Sequence, residues 1–97
     1  MVQVNLKEKI INEIKELACD SGVEKVIMFG SRARGDNKER SDIDLAVTGG
    51  NTARFAVEAD EEIQTLLMFD IVDLDGFVQE ELRQSIEREG KTIYEKI

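Results

Sequence analysis

The sequence predicts an α/β or α+β layer, in which one sheet is covered mainly on one side by helices. Apolar residues recur at helical spacing near both ends of the chain, and short apolar or alternating runs lie between these stretches. The resulting order is helix, strand, strand, helix, strand, helix. The chain has 97 residues, and we expect one domain, residues 1–97, because single domains commonly have about 100 to 150 residues.

The first helix is predicted from residues 6–18, where charged residues occupy the faces that the apolar residues leave open. Asn5, with Glu8 three residues later, resembles a capping box in which Asn replaces Ser or Thr. Gly22 suits the left-handed residue that follows the last turn of a helix. The apolar positions are Leu6, Ile10, Ile14, Leu17 and Ala18.

Two strands follow the first helix. Residues 26–29 form an unbroken apolar run, which predicts a buried strand. It ends at the polar segment 30–41, at whose start short helical content is expected. Residues 42–47 alternate between acidic or small and larger apolar side chains, which predicts a strand with one apolar face that ends at Gly49-Gly50.

The second half of the chain adds two helices and a third strand. Residues 52 to about 64 have a helix-forming composition, and the apolar run 66–74 is the third strand. The apolar positions between 78 and 86 recur at helical spacing, and this last helix is closed by Gly90. Residues 92–94 either add a short edge strand or simply pack down.

The charge of the chain restricts its partners. It has 13 Lys and Arg against 21 Asp and Glu, a formal net charge of −8. A chain this acidic repels polyanions, so nucleic-acid binding through nonspecific phosphate contacts is not expected. The charged N-terminal segment 1–17 is typical of neither a signal peptide nor a membrane span, and we expect a cytoplasmic protein.

The metal ligands that the chain offers are oxygens. With Cys19 as the one cysteine and no histidine, the chain provides neither an intramolecular disulfide nor the ligands of a structural zinc site. Asp42 and Asp44 point to the same face of their strand, with Cα atoms about 6.6 Å apart. Two unpaired carboxylates so close repel each other, and Mg²⁺ binding would remove that repulsion.

The third strand offers a further carboxylate to this site. Asp70 and Asp73 lie three positions apart and so point to opposite faces. The periodicity does not decide which of them faces the Asp42 and Asp44 site. The position of Asp70 in the middle of the apolar run favours Asp70.

The segment after the first strand indicates a phosphate site. Gly30 lets the backbone approach a ligand closely, and the Ser31 hydroxyl with nearby N–H groups can bind phosphate oxygens. The same segment is locally basic, although the chain is acidic. Its cations are Arg32, Arg34, Lys38 and Arg40.

The arrangement Gly30-Ser31, ten residues, then Asp42-Ile43-Asp44 resembles the GSx10DxD signature of the DNA polymerase β-type nucleotidyltransferases. GSRARG followed by SDIDLAV is similar to the minimal nucleotidyltransferases, the MNT family, which occur as antitoxin partners of HEPN proteins. FDIVDL and IEREGKTIYEKI also resemble that family's third strand and tail, so the resemblance covers nearly the whole chain. Asn37 stands where relatives often carry a small apolar residue.

The resemblance implies a nucleotidyltransferase fold with a small mixed sheet, and it assigns roles to residues. Gly30, Ser31 and the cations Arg32 and Arg34 would bind the phosphates of ATP or another nucleoside triphosphate. Asp42 and Asp44 would bind two Mg²⁺ ions, and Asp70 would bind the second ion and help to deprotonate an acceptor hydroxyl. The expected reaction transfers a nucleoside monophosphate, with AMP as the expected group, to a HEPN-type partner.

Two other functions are compatible with the sequence. One is a non-catalytic antitoxin that neutralises its partner by occlusion, and the other is a purely structural domain. The nucleotide base, the acceptor and the oligomeric state stay open. With 97 residues and no second domain to bind base and acceptor, the chain is expected to need a partner that completes the site.

Overall fold

The computed structural model of the protein describes residues 6–97. The predicted order of helices and strands is confirmed, the expected short helical content after Gly30 is present, and of the two alternatives for the end of the chain the structure shows the edge strand. Residues 92–94 lie in this strand. The elements are α1 (Glu8–Ser21), β1 (Lys25–Phe29), α2 (Ser31–Arg34), β2 (Ile43–Thr48), α3 (Thr52–Glu62), β3 (Phe69–Asp73), α4 (Glu80–Glu89) and β4 (Lys91–Glu95).

Helix α1 differs from the prediction at its beginning and agrees with it at its end. Asn5 of the predicted capping box lies outside the described residues. The helix begins at Glu8, and the preceding Lys7 makes no side-chain capping bond. At the other end Gly22 is left-handed, with φ 76°, and its N–H donates to the carbonyls of Ala18 and Cys19. A residue without Cβ adopts this conformation at little cost.

The four strands form one mixed sheet in the order β3-β2-β1-β4. β1 is antiparallel to both β2 and β4. β2 and β3 are parallel, and α3 is the crossover helix that such a pair requires. β3 begins at Phe69, later than the apolar run 66–74 predicted. Among residues 6–97, no helix is both long enough and apolar enough to cross a membrane.

The sheet is covered mainly on one face, as predicted. The larger core lies under α1 and α3 and includes Ile14 and Phe55, both fully buried. The smaller core on the opposite face consists of Phe29, Ala46 and Ile86, the last of which belongs to α4. Because α4 covers Ala46, β2 is buried on both faces at its centre, whereas the sequence predicted one apolar face.

Candidate active site

Three strand ends meet at one edge of the sheet and bring the predicted carboxylates there. β1 ends beside the beginning of β2, since these two strands are antiparallel. β3 is parallel to β2 and therefore begins at the same edge. Phe29, Asp44 and Asp70 are Cα partners in one row across the three strands. Asp42 directly precedes β2.

The register distinguishes the two acids of β3. Asp70 is the partner of Asp44, whereas Asp73 is the partner of Val47, which lies in the core under α1 and α3. Side chains that are direct partners across two strands lie on the same face. The carboxylate of Asp73 also accepts a hydrogen bond from the Asp75 N–H at 2.9 Å. The structure therefore brings Asp70 to Asp44 and directs Asp73 away from it.

The charge state of Asp44 reflects its neighbours. Burial raises the pKa of this carboxyl to about 6, and the negative charges of Asp70 and Asp42 act in the same direction. The positive charge of Arg34 partly opposes this rise. Since Asp44 is repelled by two other carboxylates, a bound cation at this edge would stabilise its charged form.

The residues at this edge fit a hard cation in their chemistry. Carboxylate oxygens are the ligands that Mg²⁺ prefers, and Mg²⁺ commonly takes one or two of them together with waters and substrate phosphates. Within residues 6–97, no three acidic or cysteine side chains form a preformed metal site. Asp42 and Asp70 are solvent-exposed, so a cation would have to draw these side chains toward Asp44.

Gly30 lies against the Asp44 carboxylate. Its backbone has φ 75° and ψ −159°, a conformation that L side chains rarely adopt. A Cβ atom at this position would overlap the Asp44 carboxylate. The sequence predicted a close approach of a ligand to Gly30. The structure shows the Asp44 side chain next to Gly30, a contact that follows from the pairing of Phe29 with Asp44, and the approach of a ligand stays a prediction.

Ser31 is the first residue of α2 and is partly exposed at the same edge. The Gly30 carbonyl accepts hydrogen bonds from the N–H groups of Ala33 at 3.1 Å and Arg34 at 3.0 Å, which fix the turn. The Ser31 hydroxyl makes no hydrogen bond to any of the described residues. It is thus available to a ligand next to Asp44.

Arg32 is buried, with 5% of its surface exposed. Its Nε donates to the Ser41 carbonyl at 3.0 Å, and its Nη2 donates to the Glu39 carbonyl at 3.0 Å. These donors are directed at backbone groups of the protein itself. The phosphate contact that the sequence predicts for Arg32 stays a prediction.

Arg34 is exposed and lies between α2 and α4. Its guanidinium pairs with Asp36 at 3.1 Å and with Glu89 of α4 at 2.8 Å. Its charge also acts on the pKa of Asp44. Arg34 is therefore the predicted phosphate-binding cation that the structure keeps near the carboxylates.

An open groove of about 950 Å³ lies next to this edge, between the start of α1, the loop before β2 and the segment before β3. The Ile43 N–H donates to the Met68 carbonyl at 2.8 Å, so Met68 lies at the beginning of β2. Met68 is 66% exposed and Leu66 fully exposed. The sequence placed both in a strand, and an apolar run alone gives no sign that its first residues are exposed. The lining residues are Leu6, Lys7, Lys9, Ile10, Arg32, Asn37, Glu39, Arg40, Gln64, Thr65, Leu66, Leu67 and Met68.

The chain matches one protein family over most of its length. The sequence profile of that family, described as polymerase beta, nucleotidyltransferase, matches residues 8–97. No curated protein sequence matches the chain.

Solved structures share the fold. A toxin-antitoxin structure with AMP-PNP contains a chain 26% identical, with a TM-score of 0.69 over 89% of this chain and 73% of that one. A minimal nucleotidyltransferase is 30% identical, with a TM-score of 0.63 over 84% and 86% of the two chains. A complex of the tri-AMPylated HEPN toxin and the MNT antitoxin from Shewanella oneidensis contains a chain 23% identical to this one. Its TM-score is 0.66 over 94% of this chain and 74% of that one. At that identity the last likeness shows the fold alone.

Proposed function

Because the chain belongs to the polymerase β-type nucleotidyltransferase family, we propose that it transfers AMP from ATP to a hydroxyl group of a HEPN-type protein partner and so acts as an antitoxin. The observation that carries this proposal is the half-buried Asp44, with Asp70 beside it in the sheet and the Gly30-Ser31 turn against it. The reaction is Mg²⁺-dependent and takes place in the cytoplasm.

The three carboxylates would hold the metal. Asp42 and Asp44 would be ligands of two Mg²⁺ ions, and Asp70 would be a ligand of the second. Bound Mg²⁺ supplies charge neutralisation and polarises the phosphate that reacts. Burial, together with repulsion by Asp70 and Asp42, raises the pKa of Asp44, and a bound cation would oppose this rise, which supports the assignment.

The phosphates would lie at the Gly30-Ser31 turn. The Ser31 hydroxyl and the adjacent backbone N–H groups donate to the terminal phosphates, and the exposed guanidinium of Arg34 adds positive charge. In a chain of net charge −8, such local donors are needed to hold a triphosphate. Gly30 keeps the turn close to Asp44 because it has no Cβ. Phosphate and metal ligands then meet at one point.

The chemical step is a displacement at the α-phosphorus. The oxygen of the acceptor hydroxyl forms a bond to this phosphorus, and the bond from phosphorus to the bridging oxygen breaks. Pyrophosphate leaves, and Asp70 accepts the proton of the hydroxyl. Asp70 is the strand partner of Asp44, which supports this role.

The partner and the nucleotide are supported by the related structures. A chain 26% identical to this one was crystallised in a toxin-antitoxin assembly with AMP-PNP, which supports ATP as the substrate. The open groove, whose lining includes Arg32, offers a surface for a partner that would complete the site.

A second candidate function is supported by the exposed apolar side chains of the groove. Leu66 and Met68 could bind a partner by contact alone. The protein would then neutralise its partner by occlusion without transferring a nucleotide.

Transfer of label distinguishes the two functions. The protein is incubated with α-³²P-ATP, Mg²⁺ and the product of the adjacent gene as the candidate partner, with a parallel sample containing EDTA. The transferase proposal predicts label on the partner, lost with EDTA, and absence of label with every nucleotide contradicts it. The double variant Asp42→Asn, Asp44→Asn should fail to neutralise the partner at equal dose. Full neutralisation by that variant would support occlusion.

A further inference from the structure

Arg32 has an unusual position for a charged residue next to a ligand site. It is 5% exposed, and charged side chains are seldom buried unless their hydrogen bonds are made. It directly follows Ser31, whereas its two carbonyl partners belong to the segment that leads into Asp42. Its side chain thus joins the two halves of the proposed site.

The segment between the two halves has no helix or strand of its own. It forms a tight turn in which the Ser41 N–H donates to the Lys38 carbonyl at 3.1 Å. The Lys38 N–H in turn donates to the Ser41 hydroxyl at 2.8 Å. Arg32 holds this closed turn against α2 through its Nε and Nη2 donors.

The bond to Ser41 bears directly on Asp42. The Ser41 carbonyl is part of the peptide unit that joins Ser41 to Asp42, and peptide units are planar. Because the Arg32 guanidinium holds this carbonyl, it also holds the plane of the peptide unit that contains the Asp42 nitrogen. Asp44 is held by the pairing of β2 on both sides. Asp42 precedes the strand and is exposed.

We propose that Arg32 is a positioning residue that orients Asp42 relative to the Gly30-Ser31 turn, so that metal and phosphate ligands keep a fixed separation. This inference rests on the proposed function. Groups that hold metal ligands in place commonly change metal affinity about 10- to 100-fold when they are removed. Ligand groups must also be held within about 0.5 Å of their working geometry.

The geometry requires a guanidinium and not just a positive charge. Nε and Nη2 lie along one edge of the planar group and reach two carbonyls at once. Lys in this position keeps the charge but has a single nitrogen. We therefore expect Arg32→Lys to behave like Arg32→Met in metal binding, even though Lys preserves much of the packing.

Arg54→Met is the matched control. In the wild type, the Nη1 of Arg54 also donates to a backbone carbonyl, that of Asp20, at 3.2 Å. Arg54 lies on α3, away from the strand ends that carry the carboxylates. The measurements are Mn²⁺ affinity by electron paramagnetic resonance, hydrogen exchange of the Ser41 amide, which donates to the Lys38 carbonyl within the held turn, and labelled transfer. Circular dichroism checks that each variant folds.

The proposal predicts that both Arg32 variants bind Mn²⁺ about 10- to 100-fold more weakly, exchange the Ser41 amide faster and need more Mg²⁺ for transfer, with the KM for ATP nearly unchanged. Arg54→Met should match the wild type. Wild-type Mn²⁺ affinity and amide protection in Arg32→Lys would overturn the proposal, as would failure of both Arg32 variants to fold. If the wild type transfers no nucleotide, the proposed function fails, whereas metal binding and amide exchange still decide the role of Arg32.

Discussion

At each end of β2 an aspartate lies next to a glycine: Asp44 lies against Gly30, and Asp75, which follows β3, binds Gly49. The surroundings of the two carboxylates shift their pKa values in opposite directions. At the C-terminal end of β2, Asp75 accepts hydrogen bonds from the Thr48 hydroxyl at 2.5 Å and the Gly49 N–H at 2.8 Å. These bonds lower the pKa of Asp75. At the other end, burial and two further acids raise the pKa of Asp44 to about 6.

The difference separates a structural carboxylate from a functional one. Asp75 obtains its donors from the protein and closes the loop after β2. Asp44 is surrounded by repulsion that the described residues do not fully compensate, which is typical of a group that binds a cation or reacts. The charged Asp44 carboxylate destabilises the folded metal-free protein, and binding of the proposed Mg²⁺ would offset this loss of stability.

Replacing each of the two carboxylates, Asp44 and Asp75, by an amide tests this difference most strongly. Asp44→Asn should reduce labelled transfer at least about 100-fold, and it should raise the melting temperature of the metal-free protein at neutral pH because it removes a repelled charge. Asp75→Asn should lower the melting temperature and retain transfer. Calorimetry and the labelled assay measure both quantities. The distinction fails if Asp44→Asn stays active or if Asp75→Asn is the inactive variant.

Two glycine variants test the contact between the turn and Asp44. Gly30→Ala introduces strain of about 1 to 3 kcal/mol and also pushes a Cβ into the Asp44 carboxylate. We expect lower stability together with a loss of transfer. Gly35→Ala is the control, since Gly35 also has a positive φ, 90°, but has nothing within 4 Å of its Cβ position.

Gly35→Ala should therefore lose stability and keep its transfer activity once folded. Denaturant unfolding and transfer per folded molecule are measured for both proteins. Equal transfer by the two variants would show that the approach of Gly30 to Asp44 has no part in the reaction.

The pH dependence should have opposite signs at the two ends. The pKa of Asp44 is raised in the folded protein, so its contribution to stability is present at low pH and is lost as pH rises through about 6. The pKa of Asp75 is lowered, so its contribution is present at neutral pH and is lost on acidification. Metal binding competes with protonation of Asp44, and Mg²⁺ affinity should fall as pH drops below about 6.

This is measured by Mn²⁺ titration between pH 5 and pH 8, with melting curves of the metal-free protein. Asp44→Asn should remove the acid-side gain in stability, and Asp75→Asn should not. A metal affinity that is flat across this range would contradict the assignment of Asp44 as a ligand.

Much of this architecture could be predicted from the sequence, because local patterns determine it. The alternation around Asp42 and Asp44, the glycine after β1 and the spacing between them depend on neighbours in the chain. The choice between Asp70 and Asp73 could not be predicted, since it depends on the register of β2 against β3.

The orientation of the Arg32 side chain also could not be predicted from the sequence, because it depends on contacts with another segment of the chain. A cation beside Ser31 predicts a phosphate contact, but the direction of its side chain is set by the turn at residues 38–41, which offers two carbonyls on one side. Exposure of Leu66 and Met68 likewise depends on where α3 ends and β3 begins.

The most direct test of the central claim compares the two acids of β3 in the labelled transfer assay. Asp70→Asn and Asp73→Asn make the same chemical change on one strand, but only Asp70 is the partner of Asp44. We expect Asp70→Asn to abolish labelling of the HEPN partner and Asp73→Asn to label it at the wild-type rate. Wild-type labelling by Asp70→Asn, or its loss in a folded Asp73→Asn, would contradict the proposed active site.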